Sequence, residues 1–247
     1  MSERPPDLVL DRRSSLFVAL AATFVTMLLV GDLIGGKLQE LNLFGYSFLI
    51  TVGMIPFPIT FVLTDLVNEF YGKQAARYLT FVGFWMAIAT FAIISVAVAL
   101  PWPALTRSTD WTGVTELTYD RVFSGSKRFL VASITAYLVS QLADIAVFHL
   151  LKRRTGGKML WLRATGSTAV SQLVDTIIIQ AIAWWGVLGA DKIFSLVLTS
   201  YVVKLVVAIG LTPLIYAGHA VMERRFDLQP VAVEPVAVPA VEPAQPG

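Results

Sequence analysis

The sequence predicts an all-α membrane protein of six transmembrane helices, with a broken second span and both termini in the cytoplasm. Three observations carry this expectation. First, 56% of the 247 residues are hydrophobic and only 15% are charged. Mean hydropathy is +0.70, the balance of a polytopic membrane chain and not of a water-soluble domain. Second, apolar stretches recur at bilayer-crossing lengths. Third, Lys and Arg fall unevenly between the connecting segments. The net charge of +2 is too small to imply a nucleic-acid partner, so the expected partner surface is the lipid bilayer. Cysteine is absent, which excludes disulfides, thiol nucleophiles and Cys-ligated metals. With His149 and His219 as the two histidines, neither a metal site nor a cofactor is expected.

Residues 1–15 read as a polar cytoplasmic segment. The first span runs from Leu16 to Ile34. Its apolar core has the look of a signal peptide, but further spans follow, so it reads as uncleaved. The second span occupies Ser47 to Tyr71 and the third Tyr78 to Leu100. Pro101 to Lys127 is a long loop, in which Trp102, Trp111 and Tyr119 suit an interface. The fourth span is Phe129 to Leu151, the fifth Gly166 to Leu188 and the sixth Ile193 to Val221. The six-span transmembrane domain thus covers 16–222. The tail, 223–247, is rich in Pro, Val, Ala and Glu and has no helical period, so it is expected to be disordered.

Basic residues set the orientation. Twelve lie on the side of the termini: Arg4, Arg12, Arg13, Lys73, Arg77, Lys152, Arg153, Arg154, Lys158, Arg163, Arg224 and Arg225. Six lie on the other side: Lys37, Arg107, Arg121, Lys127, Arg128 and Lys192. The excess places both termini in the cytoplasm. Lys204 falls inside the sixth span.

The second span cannot be one straight helix. Pro56 and Pro58 fit the first turn of a helix. From Pro58 to Tyr71 such a helix would reach about 21 Å, short of a core of about 30 Å. Residues from Tyr46 to Phe57 must cover the remainder in another conformation, which is tolerated only inside protein or along a cavity. Broken spans of this kind accompany binding sites in transporters. The plainer alternative is a proline kink with no ligand.

That short helix carries Asp65, Asn68 and Glu69 on one face. A central Asp costs about 2.5–3.5 kcal/mol on insertion scales, so such a residue is a functional-site hypothesis by default. A repeated pentad supplies partners. Ser140-Gln141-Leu142-Ala143-Asp144 lies in the fourth span and Ser171-Gln172-Leu173-Val174-Asp175 in the fifth. In each, the hydroxyl, amide and carboxylate share a face. Counting from Lys73, Lys152 and Ser167, the carboxylates Asp65, Asp144 and Asp175 each lie about 12 Å from the cytoplasmic edge, in one expected layer. Carboxylates flanked by amides suit a ligand rich in N–H donors. The N1–H and 2-amino edge of a guanine-like base offers two parallel donors to one carboxylate. The structural alternative is interhelical hydrogen bonding among Ser, Gln and Asp, worth about 0.6 kcal/mol per contact.

Other features carry less. Gly31 to Lys37 imitates a P-loop, but Leu38 stands where Ser or Thr belongs and no strand precedes it. Lys204 is either a counter-ion for the acidic groups or a snorkelling side chain. His149 and His219 read as solvated interfacial residues, and Lys152 to Arg154 as a topology signal. Arg163 reads as part of a helix entry and not as a partner of the acidic groups. Phe57, Phe61, Phe70 and Tyr71 read chiefly as packing, with one of them free to stack on a planar ligand.

Four stretches resemble the signature of the queuosine precursor transporter family, also called the vitamin uptake transporter family. They are FPITFVLTDLVNEFYGKQAAR from Phe57, SQLADIAVF from Ser140, WLRATGSTAVSQLVDT from Trp161 and KLVVAIGLTPLIY from Lys204. The resemblance extends from Leu16 to Met222. It implies a six-span inner-membrane importer of 7-deazaguanine bases, the cyano- or aminomethyl-deazaguanine precursors of queuosine in tRNA. The expected substrate site comprises Asp65, Asn68, Glu69, Gln141, Asp144, Gln172 and Asp175, with Lys204 as counter-ion. The crowded carboxylates raise the expectation of proton coupling, and a homo-oligomer is compatible with the reading. Two rival functions are a substrate-binding subunit of an ATP-driven importer and an intramembrane aspartyl enzyme. The latter is disfavoured because Gln-Leu-x, not Gly-x-Gly, precedes each Asp of the repeat.

Overall fold

The computed structural model describes residues 11–34, 37–43, 46–108, 110–123 and 127–232. Eight α-helices account for most of it. They are α1 (Arg12–Ile34), α2 (Phe57–Phe70), α3 (Gly72–Ala99), α4 (Glu116–Phe123), α5 (Lys127–Arg154), α6 (Leu160–Trp184), α7 (Ala190–Gly210) and α8 (Thr212–Phe226). Four of them, α1, α3, α5 and α7, are long and apolar enough to cross a membrane by length and composition. Helix α6 has 25 residues but carries Ser167, Thr168, Ser171, Gln172, Asp175 and Thr176 on its buried side.

The break in the second span takes a specific form. Strands β1 (Leu38–Leu43) and β2 (Tyr46–Thr51) pair antiparallel, Leu38 opposite Thr51 and Leu43 opposite Tyr46. The fold is therefore helical with one short hairpin, where the sequence pattern predicts helices alone. A 3-10 turn, Val52–Met54, follows, and α2 then starts with Pro58 in its first turn, where a missing N–H costs nothing. Helix α2 has 14 residues. It runs beside α1: a Cβ on Gly31 would stand 3.2 Å from the Pro56 ring. At the opposite end, the Arg13 guanidinium donates to the Phe70 carbonyl at 2.8 Å and the Tyr71 hydroxyl to the Arg13 carbonyl at 3.0 Å.

The sixth apolar stretch, expected as a single helix from Ile193 to Val221, is instead divided at Leu211 into α7 and α8. Pro213 in the first turn of α8 explains the break, because it has no N–H for the preceding turn and its ring clashes with it. Helix α8 continues to Phe226, past the expected end at Val221. Asp227 closes it in the left-handed conformation (φ 55°), and the Leu228 N–H returns to the Met222 carbonyl at 3.2 Å. Residues 227–232 then run as irregular chain packed on the helices, unlike the structureless tail expected from residue 223. Residues 233–247 lie outside the described residues.

Helix α2 is the centre of the molecule. All eleven residues from Thr60 to Phe70 are buried. Two apolar clusters meet on it. Val62, Leu66 and Phe70 pack with Phe148, Ala164, Ile215 and Met222, while Leu63 and Val67 pack with Phe24, Ala76, Leu79 and Ile145. By contrast α7 buries only Ala208 among its residues. A helix apolar all round and exposed is one that faces lipid.

Candidate functional site

Helices α5 and α6 are antiparallel neighbours in a strict register. Stepping by four along α5 gives Ser140, Asp144, Phe148 and Lys152. Stepping by four along α6 gives Asp175, Ser171, Ser167 and Arg163. The two stripes face each other. The Ser171 hydroxyl donates to Asp144 Oδ1 at 3.1 Å, and the Ser140 hydroxyl to Asp175 Oδ1 at 3.5 Å. Each copy of the pentad thus gives its serine to the aspartate of the other. All four residues are buried.

At one end of these stripes sits Glu69 of α2. Arg163 holds it with two parallel bonds, Nε to Oε2 at 3.1 Å and Nη2 to Oε1 at 2.6 Å. Lys152 Nζ adds a contact to Oε2 at 3.2 Å. The side chains of the two pairs are no more than 5% exposed. The remaining Arg163 donor, Nη1, reaches the carbonyls of Gly157 at 2.5 Å and Lys158 at 3.1 Å. Gly156 and Gly157, both at positive φ, form the tight α5–α6 turn that aims those carbonyls inward. Arg163, Lys152 and Glu69 therefore join α2, α5 and α6, which corrects three readings at once. Arg163 is a partner of the acidic groups, Lys152 is more than a topology signal, and Glu69 is already saturated by protein cations.

The other end carries a second ion pair. Lys204 Nζ of α7 lies 2.6 Å from Asp175 Oδ2 and 5.4 Å from the centre of the Phe57 ring. Of the two readings of Lys204, the counter-ion is the one observed. Phe57 thus touches a cation, while Phe70 is fully buried and packs against His219. His149 is also not a free interfacial residue, since its Nε2 lies 3.2 Å from Asn68 Oδ1.

These contacts replace the expected single layer with a staircase. Measured from the Glu69–Lys152–Arg163 cluster along each helix, Asp65 lies about 6 Å inward, Asp144 about 12 Å and Asp175 about 18 Å. The counting points were at fault. Helix α2 ends at Phe70, so Lys73 is no ruler for Asp65, and α6 begins at Leu160, well before the expected Gly166.

Between the two ion pairs the polar groups are treated differently. Among the described residues, six buried side-chain polar atoms lack a hydrogen-bond partner, and four of them are Asp65 Oδ1, Asp65 Oδ2, Asn68 Nδ2 and Gln172 Oε1. Three acceptors and one donor are left for something other than protein. Gln141 of α5 is buried as well. The sequence pattern missed Arg163, Lys152 and His149. For Arg163 and Lys152 the signal was the same four-residue stepping that marks the pentads, continued two steps further toward the helix ends; His149 lies off that stripe. Among the described residues no group of acidic or His side chains is arranged to hold a metal ion.

Lipid-facing apolar helices around a buried, partly unpaired polar interior define a multi-pass membrane carrier. The family model described as "Putative vitamin uptake transporter" matches residues 51–218. The chain is 32% identical to a Bacillus subtilis (strain 168) protein named "Probable queuosine precursor transporter", over 73% of this chain and 75% of that one. A Haemophilus influenzae protein of the same name is 31% identical over 57% and 54%. The "Queuosine precursor transporter" of Escherichia coli (strain K12) is 28% identical over 64% and 67%. No solved structure matches the chain. The chain belongs to the vitamin uptake transporter family. It is a membrane transporter and not an enzyme.

Proposed function

We propose that this transporter imports a 7-deazaguanine precursor of queuosine, such as the cyano- or aminomethyl-deazaguanine base, across the cell inner membrane. One observation carries the reading. Among the described residues Asp65 presents two buried carboxylate oxygens without a hydrogen-bond partner, and the buried amides of Asn68 and Gln172 each keep an unpaired atom as well. A deazaguanine has adjacent N–H donors to meet such a carboxylate and a carbonyl acceptor to meet Asn68 Nδ2. The names of the three relatives point to the same substrate class.

In this reading the substrate-binding residues are Asp65, Asn68, Gln141, Asp144 and Gln172. Glu69 with its cations and Asp175 with Lys204 bound the site at its two ends. Six crossings with both termini in the cytoplasm accommodate the contacts of Arg13 with Phe70 and of Val231 with Glu69, which bring the two ends of the chain to one side. The excess of Lys and Arg on that side favours the cytoplasm. Proton coupling is part of the proposal, because Asp65 and Asp144 are buried carboxylates that are not among the ion pairs of the described residues.

The test is uptake into proteoliposomes containing this protein alone, with cyano-deazaguanine, aminomethyl-deazaguanine, queuine and guanine side by side. Saturable uptake of a deazaguanine supports the reading. Loss of uptake in Asp144→Asn and Asp65→Asn would place the site. Indifference to a pH gradient would replace proton coupling by facilitated diffusion. No transport without an added ATPase module would favour the substrate-binding-subunit alternative.

A further inference from the structure

We propose that the Glu69–Arg163–Lys152 cluster is a gate on the side of the chain termini, and that residues 227–232 are the strap that latches it shut. The proposal rests on the transport reading of the site, but its evidence is separate. The strap does not merely trail from α8. Leu228 joins the apolar cluster around Phe70 and Phe148. The Val231 N–H donates to the Glu69 backbone carbonyl at 2.8 Å, a contact bridging distant parts of the chain. Val231 packs over Gly72, the residue at φ +83° that joins α2 to α3, where an added Cβ would stand 3.7 Å from Val231 Cγ1.

The strap also divides the space outside the cluster. On one side lies a cavity of about 540 Å³, walled by Glu69, Lys152, Arg163, His219 and the strap residues Pro230 to Ala232. On the other lies one of about 260 Å³, walled by Tyr71, Lys73, His149, Lys152 and again Val231 and Ala232. Both end on Lys152. A substrate leaving past Asp65 toward the termini meets the Glu69 ion pairs first and the strap next. Because Val231 binds the backbone of Glu69 itself, moving α2 away from α5 and α6 requires releasing the strap. A segment held by one long-range backbone hydrogen bond and two apolar side chains, Leu228 and Val231, is weakly enough held to do so.

The natural absence of cysteine makes the test direct. Ser167, fully buried between Arg163 and Ser171 on the α6 stripe, is replaced as Ser167→Cys, and labelling by a membrane-impermeant maleimide is timed in inside-out and right-side-out vesicles. Removing 227–247 should raise the labelling rate from the side of the termini about tenfold, the change expected when the closed state loses a contact worth one backbone hydrogen bond. Removing 233–247 alone should leave the rate unchanged. Val231→Pro, which deletes the donor without shortening the chain, should act in the same direction as the longer truncation and serves if that truncation elutes as aggregate. Unchanged labelling in the monodisperse truncation, or in Val231→Pro, would overturn the proposal. So would the full effect appearing on removal of 233–247 alone. Labelling needs no substrate, so a wrong substrate assignment and a wrong gate give different results.

Discussion

Glu69 and Asp65 stand one turn apart on the same face of the same buried helix, and the protein treats them in opposite ways. Glu69 receives a bidentate guanidinium and an ammonium. Asp65 receives nothing from the protein on either oxygen. A buried carboxylate without a partner is costly, and a fold under no functional demand would replace it. The contrast separates two jobs that identical chemistry conceals in the sequence. Glu69 ties three helices together, and Asp65 is left without a hydrogen-bond partner among the described residues.

The largest effect should come from breaking the saturated side. Arg163→Gln leaves Glu69 buried with Lys152 as its remaining cation. Removing one member of a buried pair costs about 3–5 kcal/mol, and Lys152 should hold the loss to the lower end. The variant should melt well below the parent in detergent, and adding Glu69→Gln should recover much of the difference. No recovery in the double variant would mean that Arg163 matters through the Gly157 and Lys158 carbonyls and not through Glu69.

The opposite outcome is expected one turn away. Asp65→Asn removes a buried charge that has no hydrogen-bond partner among the described residues, so thermal stability should stay level or rise by about 1 kcal/mol. Uptake should be lost. An Asp65 variant that melts early while transporting normally would reverse the roles assigned to the two carboxylates. Lys204→Met falls between these cases. Its pair with Asp175 is more exposed than the Glu69 cluster, at 17% and 10% for the two side chains. A cost of about 1–3 kcal/mol is expected after allowing for partial solvation.

Much of this was legible in the chain because membrane insertion makes polar residues expensive and hence informative. Four of the apolar stretches persist as helices long enough to cross a membrane. The short helix after Pro56 and the facing serines and aspartates of the repeated pentad persist as well. What was hidden had specific causes. Arg163 and Lys152 sit near helix ends, where a cation is ordinarily explained by the interface, so only the third helix reveals their target. Depth counted from Lys73 and Ser167 assumed helices that the fold starts and stops elsewhere. The hairpin before α2 was visible only as a gap that a short helix fails to span. The docking of 227–232 lay inside a stretch whose composition reads as disordered, because composition does not register one backbone hydrogen bond and two apolar side chains.

The smallest effects test the reciprocity within the repeat. Each serine-to-aspartate contact between membrane helices should contribute about 0.6 kcal/mol. Ser171→Ala, which breaks the 3.1 Å contact to Asp144, should therefore cost slightly more than Ser140→Ala, which breaks the 3.5 Å contact to Asp175. The two contacts are one turn, about 6 Å, apart on the α5–α6 seam, close enough to couple, so the loss in the double variant should depart from the sum of the single losses. Their effects on uptake should differ more than their effects on stability. Asp175 keeps Lys204 when Ser140 is lost, whereas Asp144 has no cation to fall back on when Ser171 is lost. If Ser140→Ala impaired uptake more than Ser171→Ala, the functional weight would sit at the Lys204 end of the staircase and not beside Asp65.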